Sequence, residues 1–166
     1  MCKRWNLFVV LSLCMAFLIG CGENEELAVF QENISAFCTE VSALESNIES
    51  IDESSEDAVD ILMVYLEQMS QQFQQLAQLE VPSEFISVEE IADDAADYMK
   101  EAVRLYGEAY EEDYVSDAMI QAASENYASA MKRINYIAVI LQGEIPEGAT
   151  VVEGEGNEFE PYMEEE

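Results

Sequence analysis

Histidine is missing altogether from this chain, and basic residues are scarce: six Lys and Arg stand against 36 Asp and Glu, a formal net charge of −30. Without histidine there are no Glu-x-x-His pairs to hold a di-iron centre, no imidazole for a haem and no histidine-based catalytic triad. So negative a chain repels the phosphates of nucleic acid, and its folded part is repelled by anionic lipid. No glycine-rich phosphate loop occurs. The run Asp52-Glu53-Ser54-Ser55-Glu56-Asp57 is as acidic as a calcium loop, but it puts Asp57 where an EF-hand needs its glycine and Met63 where it needs its bidentate glutamate, which excludes that motif. With this many carboxylates, neighbouring acids arise by chance, so pairing alone says nothing about acid–base catalysis. These absences leave no catalytic residue to name, and neither a cofactor nor a metal is expected.

At the amino terminus, Lys3 and Arg4 precede an apolar run from Trp5 to Ile19 broken only by Asn6 and Ser12, the charged and greasy regions of an export signal. Its fifteen residues would rise only about 22 Å as a helix, short of the roughly 30 Å of a bilayer's hydrocarbon core. The run ends in Leu18-Ile19-Gly20-Cys21. That tetrapeptide, with the segment before it, resembles the lipobox of bacterial lipoprotein precursors, and the resemblance covers residues 1–21 only. It implies cleavage between Gly20 and Cys21, a diacylglyceryl thioether on Cys21, acylation of the new amino terminus with a fatty acid such as palmitate, and a mature protein held on the extracytoplasmic face of a membrane. Gly22, rather than Asp, follows the lipid-bearing cysteine, so in a diderm the outer membrane is favoured. Two acyl chains hold firmly where one is marginal, since each buried methylene contributes about 0.8 kcal/mol.

Loss of the signal removes Lys3 and Arg4 and no acid, leaving Lys100, Arg104, Lys132 and Arg133 as the only basic residues and a charge two units more negative than the −30 of the whole chain. Cys2 and Cys14 go with the signal and Cys21 carries lipid, so Cys38 has no thiol left to pair with in an oxidising compartment. The fold must then be held by packing, and Cys38, beside a helical seam with no base near it in sequence, reads as a small packing residue rather than a nucleophile.

Apolar residues recur at alternating three- and four-residue steps through four stretches. The first runs Leu27, Phe30, Ile34, Phe37, Val41, Leu44, Ile48, Ile51, with Glu32, Glu40, Glu45 and Glu49 on what should be the wet faces. The second runs Val59, Leu62, Leu66, Met69, Phe73, Leu76, capped by Ser55 with Glu56 and Asp57 behind it, and stops near Pro82. Ser83 can cap the third, whose seam Val88, Ile91, Ala95, Tyr98, Ala102, Leu105, Ala109 is half alanine and is widened by Ala92, Met99, Val103, Tyr106 and Tyr110. Ser116 or Asp117 caps the fourth, Ile120, Ala123, Tyr127, Ala130, Ile134, Ile137, Leu141, which Gly143 and Pro146 close.

Four helices of about 25 to 29 residues joined by short loops predict an all-α, antiparallel up-down-up-down four-helix bundle about 40 Å long. The expected organisation is a signal at 1–20, a lipidated linker at 21–23, the bundle at 24–142 and a disordered acidic tail at 143–166, which has no hydrophobic period. The Pro82 turn would lie at the membrane end, and the Asp52 and Glu111 turns at the other.

Two surface features suggest binding. Gln68, Gln71, Gln72, Gln74, Gln75 and Gln78 form an uncharged polar row that either is simply solvated or hydrogen-bonds a partner or glycan, and Tyr106, Tyr110 and Tyr114 recur every fourth residue as core edge or as aromatic anchors. At the distal tip, Asp52, Glu53, Glu56, Asp57, Glu111, Glu112 and Asp113 would gather without a basic neighbour, beside Tyr110 and Tyr114, as a weak site for calcium or a cationic partner. The expected function is a non-enzymatic envelope lipoprotein whose bundle binds an unidentified protein, glycan or cationic partner. The competing readings are a ligand-free spacer or envelope-stress component and a hydrolase resting on two converging carboxylates or on Cys38.

Overall fold

The computed structural model describes residues 25–111, 115–144 and 146. The signal segment, Cys21, the turn residues Glu112, Asp113 and Tyr114, and nearly all of the acidic tail lie outside the described residues. The architecture is the antiparallel four-helix bundle that the periodicity predicts: α1 (Glu25–Glu49), α2 (Ala58–Ala77), α3 (Ser87–Glu111) and α4 (Asp117–Leu141). No strand occurs among the described residues, and none of their helices is long and apolar enough to cross a membrane.

The seams are the core. Phe30, Ile34, Phe37, Val41 and Leu44 of α1 and Leu66, Met69, Phe73 and Leu76 of α2 are buried, as are Val88, Ile91, Ala95, Met99, Ala102 and Ala109 of α3 and Ala123, Ala130, Ile134 and Ile137 of α4. Cys38 is buried among them. Antiparallel pairing is visible in the partners. Phe37 meets Phe73 edge to face with ring centroids 5.3 Å apart, Phe30 near the start of α1 stacks at 6.4 Å on Phe85 beyond the end of α2, and Glu45 near the end of α1 reaches Tyr127 near the start of α4. One end of the bundle therefore carries Glu25 and Pro82, here the near end, and the other carries the Asp52 and Glu111 turns, the far end.

α3 and α4 make the closest of the sequential pairs and α1 and α2 the loosest. Side-chain size explains the order. Ala95, Ala102, Ala109, Ala123 and Ala130 are all fully buried and let the α3 and α4 backbones approach, whereas Phe30, Phe37 and Phe73 hold α1 and α2 apart.

Several details depart from the sequence reading. α2 is 20 residues long against 25 for each of the others, because the connection Ser50–Asp57 takes up turns that the period assigned to helix. Val59, in the first turn of this late-starting helix, is 38% exposed rather than buried in the seam. Ser55 does not cap α2: its hydroxyl donates to Asp57 Oδ1, and Asp57 occupies the cap position without a side-chain hydrogen bond. Ser83 opens a single 3-10 turn, Ser83–Phe85, and α3 begins after it. α4 follows the expectation at both ends. Ser116 accepts from the Met119 amide, and Gly143, at a φ of 76°, donates to Ile140 O while Glu144 N–H reaches Val139 O, the paired bonds of a Schellman close.

Candidate functional site

The near half of the core is filled between the helices, and the hollow of about 570 Å³ at that end lies outside it, a groove between the start of α1 and the α2–α3 connection lined largely by exposed residues such as Glu25, Val29, Asn33, Gln78 and Glu80. Ile34, Phe37, Cys38, Leu76, Ile134, Ile137 and Ala138 leave between them a void of only about 10 Å³, lined by apolar atoms. A void of that size and character is at or below the limit for a single water and stays dry.

The far half is different. There a cleft of about 400 Å³ opens between the helices, and all four contribute to it. Leu62 and Leu66 of α2, Ile48 of α1 and Ile120 of α4 supply aliphatic wall. Tyr106 and Tyr110 of α3 and Tyr127 of α4 add aromatic surface, and Glu45 and Glu49 of α1 supply carboxylates. Its size falls within the roughly 300–1,000 Å³ of small-molecule sites, and a mostly apolar wall with a few convergent polar groups is what such sites have in common.

Sequence and local structure explain why the cleft lies here. The α1 seam passes from Leu44 to Ile48, where the near half has Phe30 and Phe37, and the flanking positions Glu45 and Glu49 put carboxylates at the edge of the opening. The tyrosines span the space left between the helices, with hydroxyls that need polar partners.

Glu45 and Tyr127 form the polar centre of the site. Tyr127 Oη donates to Glu45 Oε1 at 3.2 Å. Burial raises the Glu45 carboxyl above its usual value, the tyrosine bond offsets part of that rise, and the charge of Glu49 adds to it. The Tyr127 hydroxyl is pushed well above its ordinary range, first by burial and then by the neighbouring Glu45 charge. Tyr106 is raised by burial too, with a hydrogen bond to Ser124 acting the other way. Glu45 was expected on a wet face; in the fold it is half-buried against the cleft, because α1 packs loosely enough for this flank to face the opening rather than solvent.

None of the lining residues is basic. Arg104 is bound by Glu101 at 2.6 Å and by Glu108. Lys132 lies over the ring of Tyr136, 5.6 Å from its centroid, and Lys100 is exposed. Arg133 is buried on the α3–α4 seam, 8% exposed, with its guanidinium 4.1 Å from the centroid of Tyr98 and its Nε 3.6 Å from Asp94 Oδ2. That burial was not legible in the sequence, where Arg133 counts only as one of few cations.

The acidic tip is assembled only in part. Asp52, Glu53, Glu56 and Asp57 are exposed in the α1–α2 connection. Asp52 Oδ1 accepts from Ser54 N–H at 3.0 Å and from Ser54 Oγ at 2.6 Å, which holds its carboxyl below the usual value, and Asp57 Oδ1 accepts from Ser55. Glu111 ends α3; Glu112, Asp113 and Tyr114 lie outside the described residues. Among the described residues no group of three or more Asp, Glu or Cys is placed to hold a metal ion. Tyr110 lines the cleft. The glutamine row lies along the outside of α2, where Gln68, Gln71, Gln74, Gln75 and Gln78 are exposed and Gln72 is half-covered, with Gln74 Nε2 donating to Ser70 Oγ at 3.3 Å.

Glu45 and Glu49 are the two carboxylates that converge on the cleft, yet they come from successive turns of one helix. They share a wall, so they cannot flank a scissile bond from opposite faces as the acid and the nucleophile or base of a glycosidase do. Set beside protein-family models, curated proteins and solved structures, the chain matches none.

Proposed function

We propose that the protein is a non-enzymatic lipoprotein, anchored through Cys21 on the extracytoplasmic face of a membrane, whose helical bundle binds a small ligand in the far-end cleft. The cleft carries this reading: the near-half core is filled down to a void of about 10 Å³ and the near-end hollow of about 570 Å³ is a groove between α1 and the α2–α3 connection alone, whereas the far-half cleft of about 400 Å³ has wall from all four helices. A spacer has no need of such an opening. The lipobox supports the anchor, and the antiparallel order supports the placement, since it puts the start of α1, next to Cys21, at the end opposite the cleft.

Two experiments test the two parts. Cys21→Ala should abolish acylation and processing, followed by mass measurement and detergent partitioning; a normally processed, lipid-bearing variant would refute the anchor. For the cleft, the lipidated protein in phosphatidylcholine nanodiscs, methyl-labelled at Ile and Leu, is titrated with small aromatic compounds of each charge. Shifts centred on Ile48, Leu62, Leu66 and Ile120 are expected with at least one of them. Shifts in none, or shifts spread evenly along the helices, would overturn the binding reading.

A further inference from the structure

We infer that the ligand of the far-end cleft is an organic cation with an apolar or aromatic body, a protonated amine, seated on the tyrosine rings and against Glu45. This deepens the binding reading and rests on it.

Three observations point to that chemistry. First, among the described residues the charged groups lining the cleft are carboxylates, while Arg104, Lys132 and Arg133 are engaged elsewhere and Lys100 does not line it. In a chain of net charge −30, an anion entering this space would meet repulsion near and far. Second, Glu45 is half-buried, and Tyr127 donates to one of its two oxygens. A carboxylate can accept about four hydrogen bonds, so it has capacity for an ammonium donor, and charge-assisted bonds of that kind are the strong ones. Third, Tyr106, Tyr110 and Tyr127 add the negative faces of their rings, which attract cations, with the larger effect where water is excluded.

The same molecule uses this combination internally. On the α3–α4 seam, Tyr98 at 4.1 Å and Asp94 at 3.6 Å seat the guanidinium of Arg133. The cleft repeats the tyrosine-and-carboxylate pair without a cation of the chain's own to fill it, and it adds the aliphatic wall of Leu62, Leu66 and Ile120 for an apolar body.

The test is a charge series at constant shape. Phenethylammonium, 2-phenylethanol and phenylacetate are titrated separately into the lipidated full-length protein in phosphatidylcholine nanodiscs, following the same methyl groups. The inference expects the cation to bind about ten-fold or more tightly than the alcohol, and phenylacetate to bind more weakly than either. Glu45→Gln should narrow the ratio of the affinities for the cation and for 2-phenylethanol to about two-fold or less with binding of both still measurable, a pattern that a merely unfolded variant does not give. Equal affinities for cation and alcohol, or tighter binding of phenylacetate, overturn the cation assignment and leave the cleft as a binding site. Failure of all three to shift those methyl groups overturns both.

Discussion

The two halves of this bundle are built from the same four helices and solve different problems. In the near half, aromatic side chains of α1 and α2 fill the space between helices: Phe37 and Phe73 interlock edge to face, and the leftover void is about 10 Å³. In the far half, where Glu45 and Glu49 flank the α1 seam and Tyr106, Tyr110 and Tyr127 stand on α3 and α4, about 400 Å³ stays open. A hydrophobic period positions helices without dictating whether the space between them is filled. That second property depends on side-chain volume at each level and on polar groups that resist burial without a partner.

Truncation gives the largest expected contrast between the halves. Phe73→Ala, at a position with no exposed surface, removes a ring from a filled layer and should destabilise by about 3–5 kcal/mol. Leu62→Ala, half-buried on the wall of an opening, should lose about 1–2 kcal/mol, because less surface was taken out of water and no sealed cavity forms. Urea denaturation of both variants measures the difference; equal losses would mean that the far half is as tightly packed as the near half.

How much of this was legible in the sequence can be stated residue by residue. The seam positions Phe30, Ile34, Phe37, Met69, Phe73, Val88, Ile91, Ile134 and Ile137 were readable because burial of one helix stripe imposes a three-and-four period, and each is buried. The α4 cap at Ser116 and its close at Gly143 were readable because they are local chemistry. The late start of α2 was hidden, since Val59 keeps the period although it is exposed. Of the cleft, the sequence offered the every-fourth-residue spacing of Tyr106 and Tyr110 and the place of Tyr127 in the α4 seam, but not their convergence. That convergence, like the union of Arg133 with Asp94 and Tyr98, depends on the register between helices, which no single-helix pattern encodes.

A smaller contrast concerns the α3–α4 seam, which is closed by alanine rather than by large side chains. Ala130→Leu forces methylenes into a fully buried position between two backbones and should cost about 1–3 kcal/mol, whereas enlarging an exposed alanine on α4, Ala128→Leu, should change stability by less than about 0.5 kcal/mol. Thermal or urea melts check this. Indifference at Ala130 would mean that the helices can move apart freely.

The smallest expected effect is electrostatic and has a definite sign. Glu45 has a raised carboxyl pKa in the fold, so the folded state holds its proton more tightly than the unfolded chain does. The stability tied to that proton is fully present below the unfolded value of about 4.3 and is lost as pH rises through the raised folded value. Around it stand Glu49 of α1, Tyr106 and Tyr110 of α3 and Tyr127 of α4, while α2 presents only Leu62 and Leu66. Tyr106 and Tyr127, both raised by burial, stay neutral near pH 7. Glu45→Gln, whose amide oxygen can still accept from Tyr127, should therefore stabilise the free protein at neutral pH by about 1 kcal/mol or less and make little difference near pH 3.5. Stability curves of both proteins against pH would show the gap opening as pH rises; a gap that opens toward acid would reverse the account of Glu45.

The contrast between a filled half and an open half is tested most directly by one matched pair of enlargements, Ile120→Phe on the cleft wall and Ile134→Phe in the filled core. Measured by urea denaturation, Ile134→Phe should destabilise by about 1–3 kcal/mol because the surrounding layer has no room, while Ile120→Phe should be neutral or stabilising because its ring can occupy the cleft. Equal destabilisation by the two would contradict the account, showing that the far half has no usable space to offer a ligand.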